Sequence, residues 1–345
     1  MSTVTLHVGA FKTGTSFIQR VLSNNKDELA NLGVLFPGER WGAQVRGVKG
    51  LLHSAGKGYQ HWTALTDEID AWTGPASIIS METLSLVDGE TAKKAFQSLS
   101  NHRVRIVLTV RDIGRAIPAQ WQESVQNKWT WTYSDYLAGA VQGKNRSKRA
   151  AKHFWTKQDW AKILRTWGTV VPAEDLIVVT VPPSGAPRGL LWERFCGATD
   201  LPPDRFAADV RVNESLGAAS AEVMRHVTLC IDAGGVEERT IRAIKKKLSK
   251  EILPTHKSAE PSLVLPPEHH AWAMEKSEEL VREIRLVAPK VIGDLDDLIP
   301  RFNEQKGPTT TDPSTVPADE LLAAAAHGLV GLSETVGRRR RQTKP

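Results

Sequence analysis

Residues 7–20 read HVGAFKTGTSFIQR. Residues 4–10, VTLHVGA, alternate and cluster apolar side chains as a short strand does. TSFIQR opens a helix expected over about 15–31, where Phe17/Val21 and Ile18/Leu22 recur at i,i+4 and mark one buried side. Between strand and helix lie Gly9 and Gly14, with Lys12 inside the turn. A strand that turns through glycine into a helix presents successive backbone N–H groups at the positive end of the helix dipole. Such a turn can hold a phosphate.

Working outward, the same alternation continues. GVLFPG (33–38), ASIISME (76–82), RVRIVLTVR (103–111) and DLIVVTVP (175–182) read as further strands. TAKKAFQSLS (91–100), a segment with Ile113, Ile117 and Trp121 at steps of four, and QDWAKILRTWG (158–168) read as helices. Residues 39–63 have no clear period and read as a loop or broken helix. Residues 128–156 are aromatic and basic and read as an insertion covering an opening. Strands that alternate with helices predict an α/β fold with a mostly parallel central sheet and helices on both faces.

Beyond about 215 the chain turns helical, with helices expected over 216–231, 235–250, 275–289 and 318–336. EPSLVLPPEHHAW (260–272) reads as a proline-rich connection and VIGDLDDLIPRF (291–302) as a short cap on the core. Residues 303–317 read as a linker and GRRRRQTKP (337–345) as a disordered basic tail. The expected division is a core over 1–215, a helical extension packed on it over 216–302, and a linker, helix and tail over 303–345.

The 345 residues carry 45 basic and 39 acidic side chains, a formal charge of +6. A small anionic ligand is enough to explain this balance. The basic runs lack interleaved aromatics, so no specific nucleic-acid partner is expected. The start, MSTVTLHVGA, has neither the basic residues nor the long apolar run of a signal peptide, and no segment is apolar enough to span a bilayer. A cytoplasmic protein without a transmembrane segment is expected. Cys196 and Cys230 have no zinc spacing, and the ten histidines form no H-E-x-x-H. No metal is expected. Oligomeric state is silent.

The lysine sets the chemistry. A nucleotide-kinase loop, G-x-x-x-x-G-K-[ST], has lysine directly after its second glycine. Here Thr15 and Ser16 follow Gly14, and Lys12 precedes it by two. Lys12 can meet charge on the bridging oxygen of a leaving phosphate, and the Thr15 and Ser16 hydroxyls can donate to its oxygens. Ligands of parallel α/β sheets bind outside the carboxyl ends of the strands. Lys12, Glu82 and Arg111 each follow a strand and should open on one cleft.

GAFKTGTSFIQ resembles the 5′-phosphosulfate loop of sulfotransferases that use 3′-phosphoadenylyl sulfate (PAPS), including bacterial and actinobacterial members. IVLTVRDIGRAIPAQWQESVQNK resembles their 3′-phosphate segment, a strand ending in Arg111-Asp112 and running into a helix. The family's serine eight residues after the arginine is here Ala119. Gln120, Gln122, Ser124 or Arg115 could replace its contact. The match covers residues 4 to about 126. It implies a P-loop three-layer sandwich. It also implies PAPS as co-substrate without metal, and sulfuryl transfer to a hydroxyl, with an amine as second choice. The acceptor would be a carbohydrate, glycolipid or small metabolite. Phe11, Lys12, Thr13, Gly14, Thr15, Ser16, Arg111 and Arg115 would bind the donor, and Lys12 and Glu82 would be catalytic. Glu82 is the chosen base. Its other readings are a helix cap or an ion pair with Lys12 or Arg111, with Ser80 and Thr83 as orienting hydroxyls. His53 and His61 are rival bases, while His7 reads as a satisfied buried residue. Trp129, Trp131, Tyr133 and Tyr136 serve as well for an acceptor pocket as for a core. Arg211, Asn213 and Ser215 form a polar cluster. The alternatives are a P-loop small-molecule kinase and a non-catalytic nucleotide-binding protein.

Overall fold

The elements that begin at Thr3–His7 (β1) build the first part of a parallel sheet. In chain order they are β1, Thr15–Asn24 (α1) and Lys26–Asn31 (α2), then Val34–Leu35 (β2), Trp41–Leu52 (α3), Gln60–Asp70 (α4), Ala76–Ser80 (β3), Gly89–Gln97 (α5) and Arg103–Val110 (β4). The helices Ile113–Asn127 (α6), Tyr133–Gln142 (α7), Lys148–Gln158 (α8) and Trp160–Trp167 (α9) follow, then Leu176–Thr180 (β5) and Leu190–Thr199 (α10). The remainder holds Ala218–Ala233 (α11), Glu238–Lys247 (α12), Ser262–Leu263 (β6), His270–Val287 (α13), Lys290–Ile292 (β7), Thr309–Thr310 (β8) and Ala318–Gln342 (α14). This is a computed structural model. It describes residues 1–53, 58–143, 148–210, 215–233, 237–302 and 307–342.

The chain divides into two compact units that interleave in sequence. The first comprises Met1–Ile113, Trp155–Val212 and Ala273–Arg301, and the second Gly114–Phe154, Asn213–Trp272 and Phe302–Pro345. This division differs from the consecutive one expected from composition, because segments distant in the chain join each core.

The first unit is an α/β sheet with strand order β2-β3-β1-β4-β5-β7, every pair parallel. Strands β1, β3, β4 and β5 are largely buried, as strands covered on both faces are. Ile78, Val107, Ile177 and Val179 share one face with Ile18, Val21 and Leu22 of α1 and with Trp192 and Phe195 of α10. Alternation sends Ile106 and Leu108 to the other face. There α9 packs on β4, and Trp167 donates its indole N–H to the Leu84 carbonyl at 3.3 Å.

Several elements differ from expectation. The first helix breaks at Asn25 (φ −116°, ψ 33°), whose side-chain amide bonds back to the Val21 carbonyl. The second strand is only two residues long. Residues 39–63 contain all of α3 and the start of α4, with 54–57 outside the described residues. Residues 291–292 complete an edge strand, β7, and Leu295–Leu298 form a short turn packed against β5.

Beyond β5 and β7 an ion pair closes the first unit. Arg194 Nη1 donates to Asp297 Oδ2 at 2.6 Å and to the Thr180 carbonyl and hydroxyl at 2.9 Å each. Gly293 (φ +103°) must be glycine there, since a Cβ would fall 2.1 Å from Thr180 Oγ1.

The second unit is helical, with its own small sheet. β6 and β8 pair in parallel, so residues 262–263 and 309–310, expected in a connection and a linker, are joined strands. Glu260 is buried and accepts the Ser220 N–H (2.7 Å) and hydroxyl at the start of α11. Tyr133 and Tyr136 are core residues, and the Trp121 indole edge packs on Tyr133 at 5.4 Å. Residues 337–342, expected in a disordered tail, continue α14. No helix among the described residues is long and apolar enough to cross a membrane.

Arg194→Met would leave Asp297 buried without its cation. The expected cost is ~3–5 kcal/mol of stability, measured by urea unfolding, and Arg194→Met/Asp297→Leu should recover most of it. A single-variant cost below ~1 kcal/mol would show the pair to be dispensable.

Candidate active site

The sheet order places β1 between β3 and β4, with His7 in register with Ser80 on one side and Val107 on the other. The chain leaves β1 toward β2 and β3 on one side and later adds β4, β5 and β7 on the other. This is the switch point at which such sheets form a crevice. The three strands whose ends carry Lys12, Glu82 and Arg111 are therefore neighbours, as the sequence suggested.

β4 runs three residues past the partner of His7, and it carries the loop. Val8 N–H donates to the Val107 carbonyl (2.8 Å) and Ala10 N–H to the Thr109 carbonyl (2.9 Å). The strand ends at His7, earlier than expected. Gly9 then takes φ +45°, and a Cβ there would fall 2.7 Å from Thr15 Oγ1 and 2.9 Å from Thr109 Oγ1. Gly14 takes φ +83°, and a Cβ there would meet Leu191 at 2.4 Å. Both positions favour glycine for backbone sign, and Gly9 needs it for space as well.

Inside the loop, Thr13 is fully buried. Its hydroxyl contacts the Ala10 carbonyl at 2.5 Å and Thr109 Oγ1 at 2.7 Å. The Phe11 carbonyl accepts from Gln158 Nε2 at 2.7 Å, and Lys157 Nζ sits 4.7 Å from the Phe11 ring centre. Lys12 is half-buried, with left-handed backbone at φ +64°. Its carbonyl accepts from Arg111 Nη1 at 3.3 Å. That bond joins the two motifs that the sequence separates by 99 residues.

Gly14 caps α1 without any side-chain hydrogen bond, so the first-turn N–H groups have no side-chain cap. Ser16 is exposed there, while the Thr15 hydroxyl lies beneath the loop, 3.4 Å from Thr13 Oγ1. The arrangement suits an anion: uncapped N–H groups at a helix start, a lysine and an arginine.

Glu82 begins the short 3-10 turn Glu82–Leu86 directly after β3 and is half-buried. Gln19, buried on α1, donates through Nε2 to Glu82 Oε2 (3.0 Å) and to the Ser80 carbonyl (2.9 Å). The carboxylate is thus tied to the helix that opens on the loop. The orienting hydroxyls suggested by sequence do not fill that role. Ser80 Oγ bonds His7 Nδ1 at 2.7 Å, and Thr83 Oγ1 is buried with no hydrogen bond among the described residues. Gln44 completes the strand end, accepting from Ser80 N–H at 2.9 Å.

Arg115 stands half-buried in the first turn of α6, and so in the second unit. Of the substitutes for the missing serine, Gln122 donates to the Leu216 carbonyl (2.9 Å) and Ser124 to the Trp121 carbonyl (2.7 Å). Both are committed within the second unit. His53 and His61 are exposed. Trp129 and Trp131 stack face to face at 4.1 Å, each edge-on to His153. Ser215 is exposed, and residues 211–214 lie outside the described residues.

Such a site on such a sheet defines an α/β protein with a strand–loop–helix cradle whose groups suit an anion. By sequence, no family model matches the chain and no curated protein matches it. By structure, it is similar to the crystal structure of a sulfotransferase from Alicyclobacillus acidocaldarius, with a TM-score of 0.42 and 15% identity. The similarity covers 60% of this chain and 85% of that one.

His7 lies beneath the cradle with no exposed surface, its Nε2 at 3.3 Å from Thr109 Oγ1. Burial lowers its pKa from 6.5 to about 3. The unfolded chain therefore binds a proton below pH 6.5 that the fold refuses. Stability is complete above that value and falls as pH drops through the window, by up to ~1.4 kcal/mol per pH unit from this group. His7→Gln removes the titration, so its unfolding free energy should fall less steeply below pH 6.5 than that of wild type. Parallel curves would mean that His7 titrates alike in both states.

Proposed function

We propose that the protein is a sulfotransferase that takes PAPS as donor and transfers its sulfuryl group to a hydroxyl of a carbohydrate, glycolipid or small metabolite. The observation that carries this reading is the bond from Arg111 to the Lys12 carbonyl. It holds a lysine-bearing anion loop against an arginine at the end of the next strand, as a donor with two separate phosphates requires.

In this reading the N–H groups of residues 13–16 hold the 5′-phosphate. Lys12 compensates the charge that grows on the bridging oxygen as the S–O bond to phosphate breaks. Arg111 binds the 3′-phosphate through its planar fork. Glu82 accepts the acceptor hydroxyl's proton as the new O–S bond forms, and Gln19 fixes the carboxylate through Oε2. Phe11 and Thr13 act through the backbone, since the Thr13 hydroxyl is bonded inside the loop.

Calorimetry tests the donor. Adenosine 3′,5′-bisphosphate should bind without magnesium, and ATP far more weakly. Comparable ATP affinity with a strict magnesium requirement would favour a P-loop kinase. Bisphosphate binding with no transfer to any acceptor would favour a non-catalytic nucleotide-binding protein.

Two substitutions test the roles, using labelled PAPS and a panel of hydroxyl acceptors. Lys12→Ala and Glu82→Gln should each lower turnover by ~100-fold or more while leaving bisphosphate affinity near wild type. Glu82→Gln should also lose the acidic limb of the pH–rate profile. Arg111→Ala should mainly weaken donor binding. Full turnover in Glu82→Gln with loss in His53→Ala or His61→Ala would move the base to the 53–61 segment.

A further inference from the structure

The helix α14 has two apolar sides, and only one is covered. On the inner side Ala324 is buried. Gly328 and Gly331 lie against Leu248, Leu253 and Ile252. His327 Nε2 is 2.9 Å from Thr255 Oγ1 and 3.2 Å from the Ile252 carbonyl. The outer side carries Leu322, Leu329 and Val330, which are 70%, 67% and 60% exposed. Leu322, Ala326, Leu329 and Ser333 follow one another at steps of four, three and four. That is the spacing of a seam facing another helix. Ala326 and Ser333, between and beyond the leucines, are small enough to let two helix axes approach closely.

The charges are arranged end to end. Asp319 and Glu320 stand in the first turn, and the sequence carries Arg338–Arg341 toward the opposite end. Between residues 321 and 337 the only other formally charged residue is Glu334. An antiparallel pair places each acidic first turn beside the other helix's arginines, twice by symmetry. A parallel pair would set arginines on arginines. A helix built for a lipid surface distributes basic residues along its polar face and carries large aromatics on the apolar one. The helix α14 has no aromatic, and its basic residues are confined to one end.

We propose that α14 is the contact surface of a homodimer, in which a second copy of this chain pairs its own α14 antiparallel along the Leu322–Ser333 seam. Matching the acidic and arginine-rich ends places the two-fold axis near Leu329 and Val330.

Light scattering and sedimentation of the full chain should show a concentration-dependent dimer. Leu322→Glu/Leu329→Glu should be monomeric with an unchanged far-UV spectrum, since both positions are exposed. Asp319→Lys should raise the dissociation constant by ~10-fold. In a Cys230→Ser background, Val330→Cys should form an intermolecular disulfide under mild oxidation and Leu322→Cys should not. Equal cross-linking at both positions would overturn the antiparallel arrangement. A monomer at every concentration, or a dimer that survives the double substitution, would overturn the interface. A monomer that floats with anionic vesicles, and loses that binding in the double variant, would assign the face to a lipid surface instead.

Discussion

The loop after β1 depends on β4 being longer than its neighbour. Two backbone bonds, Val8 to Val107 and Ala10 to Thr109, continue the ladder after β1 has ended. Val8 and Ala10 are fully buried, so their N–H groups would go unsatisfied without those carbonyls, at a cost of about 1–3 kcal/mol each. The ladder fixes where the turn starts. It also sets Thr109 beneath it, where its hydroxyl reaches Thr13 and His7. Shortening β4 by two residues would remove both the ladder partner of Ala10 and the floor of the loop.

That floor is polar in a place where an α/β core is usually apolar. His7, Thr13, Ser80, Thr109 and Gln19 are all buried, and their hydrogen bonds run from the loop to the end of β3. A buried polar network is tolerable when its members find partners, and it then holds one arrangement. Here it makes the loop and the Glu82 strand end parts of one structure. His7 stays uncharged because an imidazolium would be desolvated there, so the network adds no charge of its own beneath the loop.

The sequence revealed what depends on local pattern. Strands β1, β3, β4 and β5 are short stretches carrying Val, Ile and Leu with glycine or charge near their ends, and the glycine–lysine–glycine turn is contiguous. β2, β6, β7 and β8 are two or three residues long. Nothing local distinguishes them from coil, because their pairing is supplied by a partner elsewhere in the chain. The same holds for the residues that brace the site. Gln19 is one polar residue on an amphipathic helix, and Gln158 lies 147 residues from the carbonyl it bonds. A spaced signal exists only for Gln19, which shares a face with Thr15 at i,i+4 and so points where the loop opens. The tyrosines at 133 and 136 could have been core or pocket by composition, and tertiary packing makes them core.

Lys12 shows how these parts act together. Three described non-glycine residues have positive φ. Asp200 and Ala288 follow directly on the helices α10 and α13, a position where the left-handed turn is common. Lys12 ends no helix. Glycine would adopt φ +64° without the penalty of about 1–2 kcal/mol that a side chain incurs, yet glycine has no ammonium to offer. The backbone is held from every side: Thr13 bonds the Ala10 carbonyl, Gln158 the Phe11 carbonyl and Arg111 the Lys12 carbonyl. These bonds over-determine a conformation that the residue alone would avoid. Strain kept in this way is common at functional sites. A lysine held in a glycine's conformation, between two glycines and at the mouth of an uncapped helix, is the physical reason to read this loop as one that places a charge rather than one that merely turns.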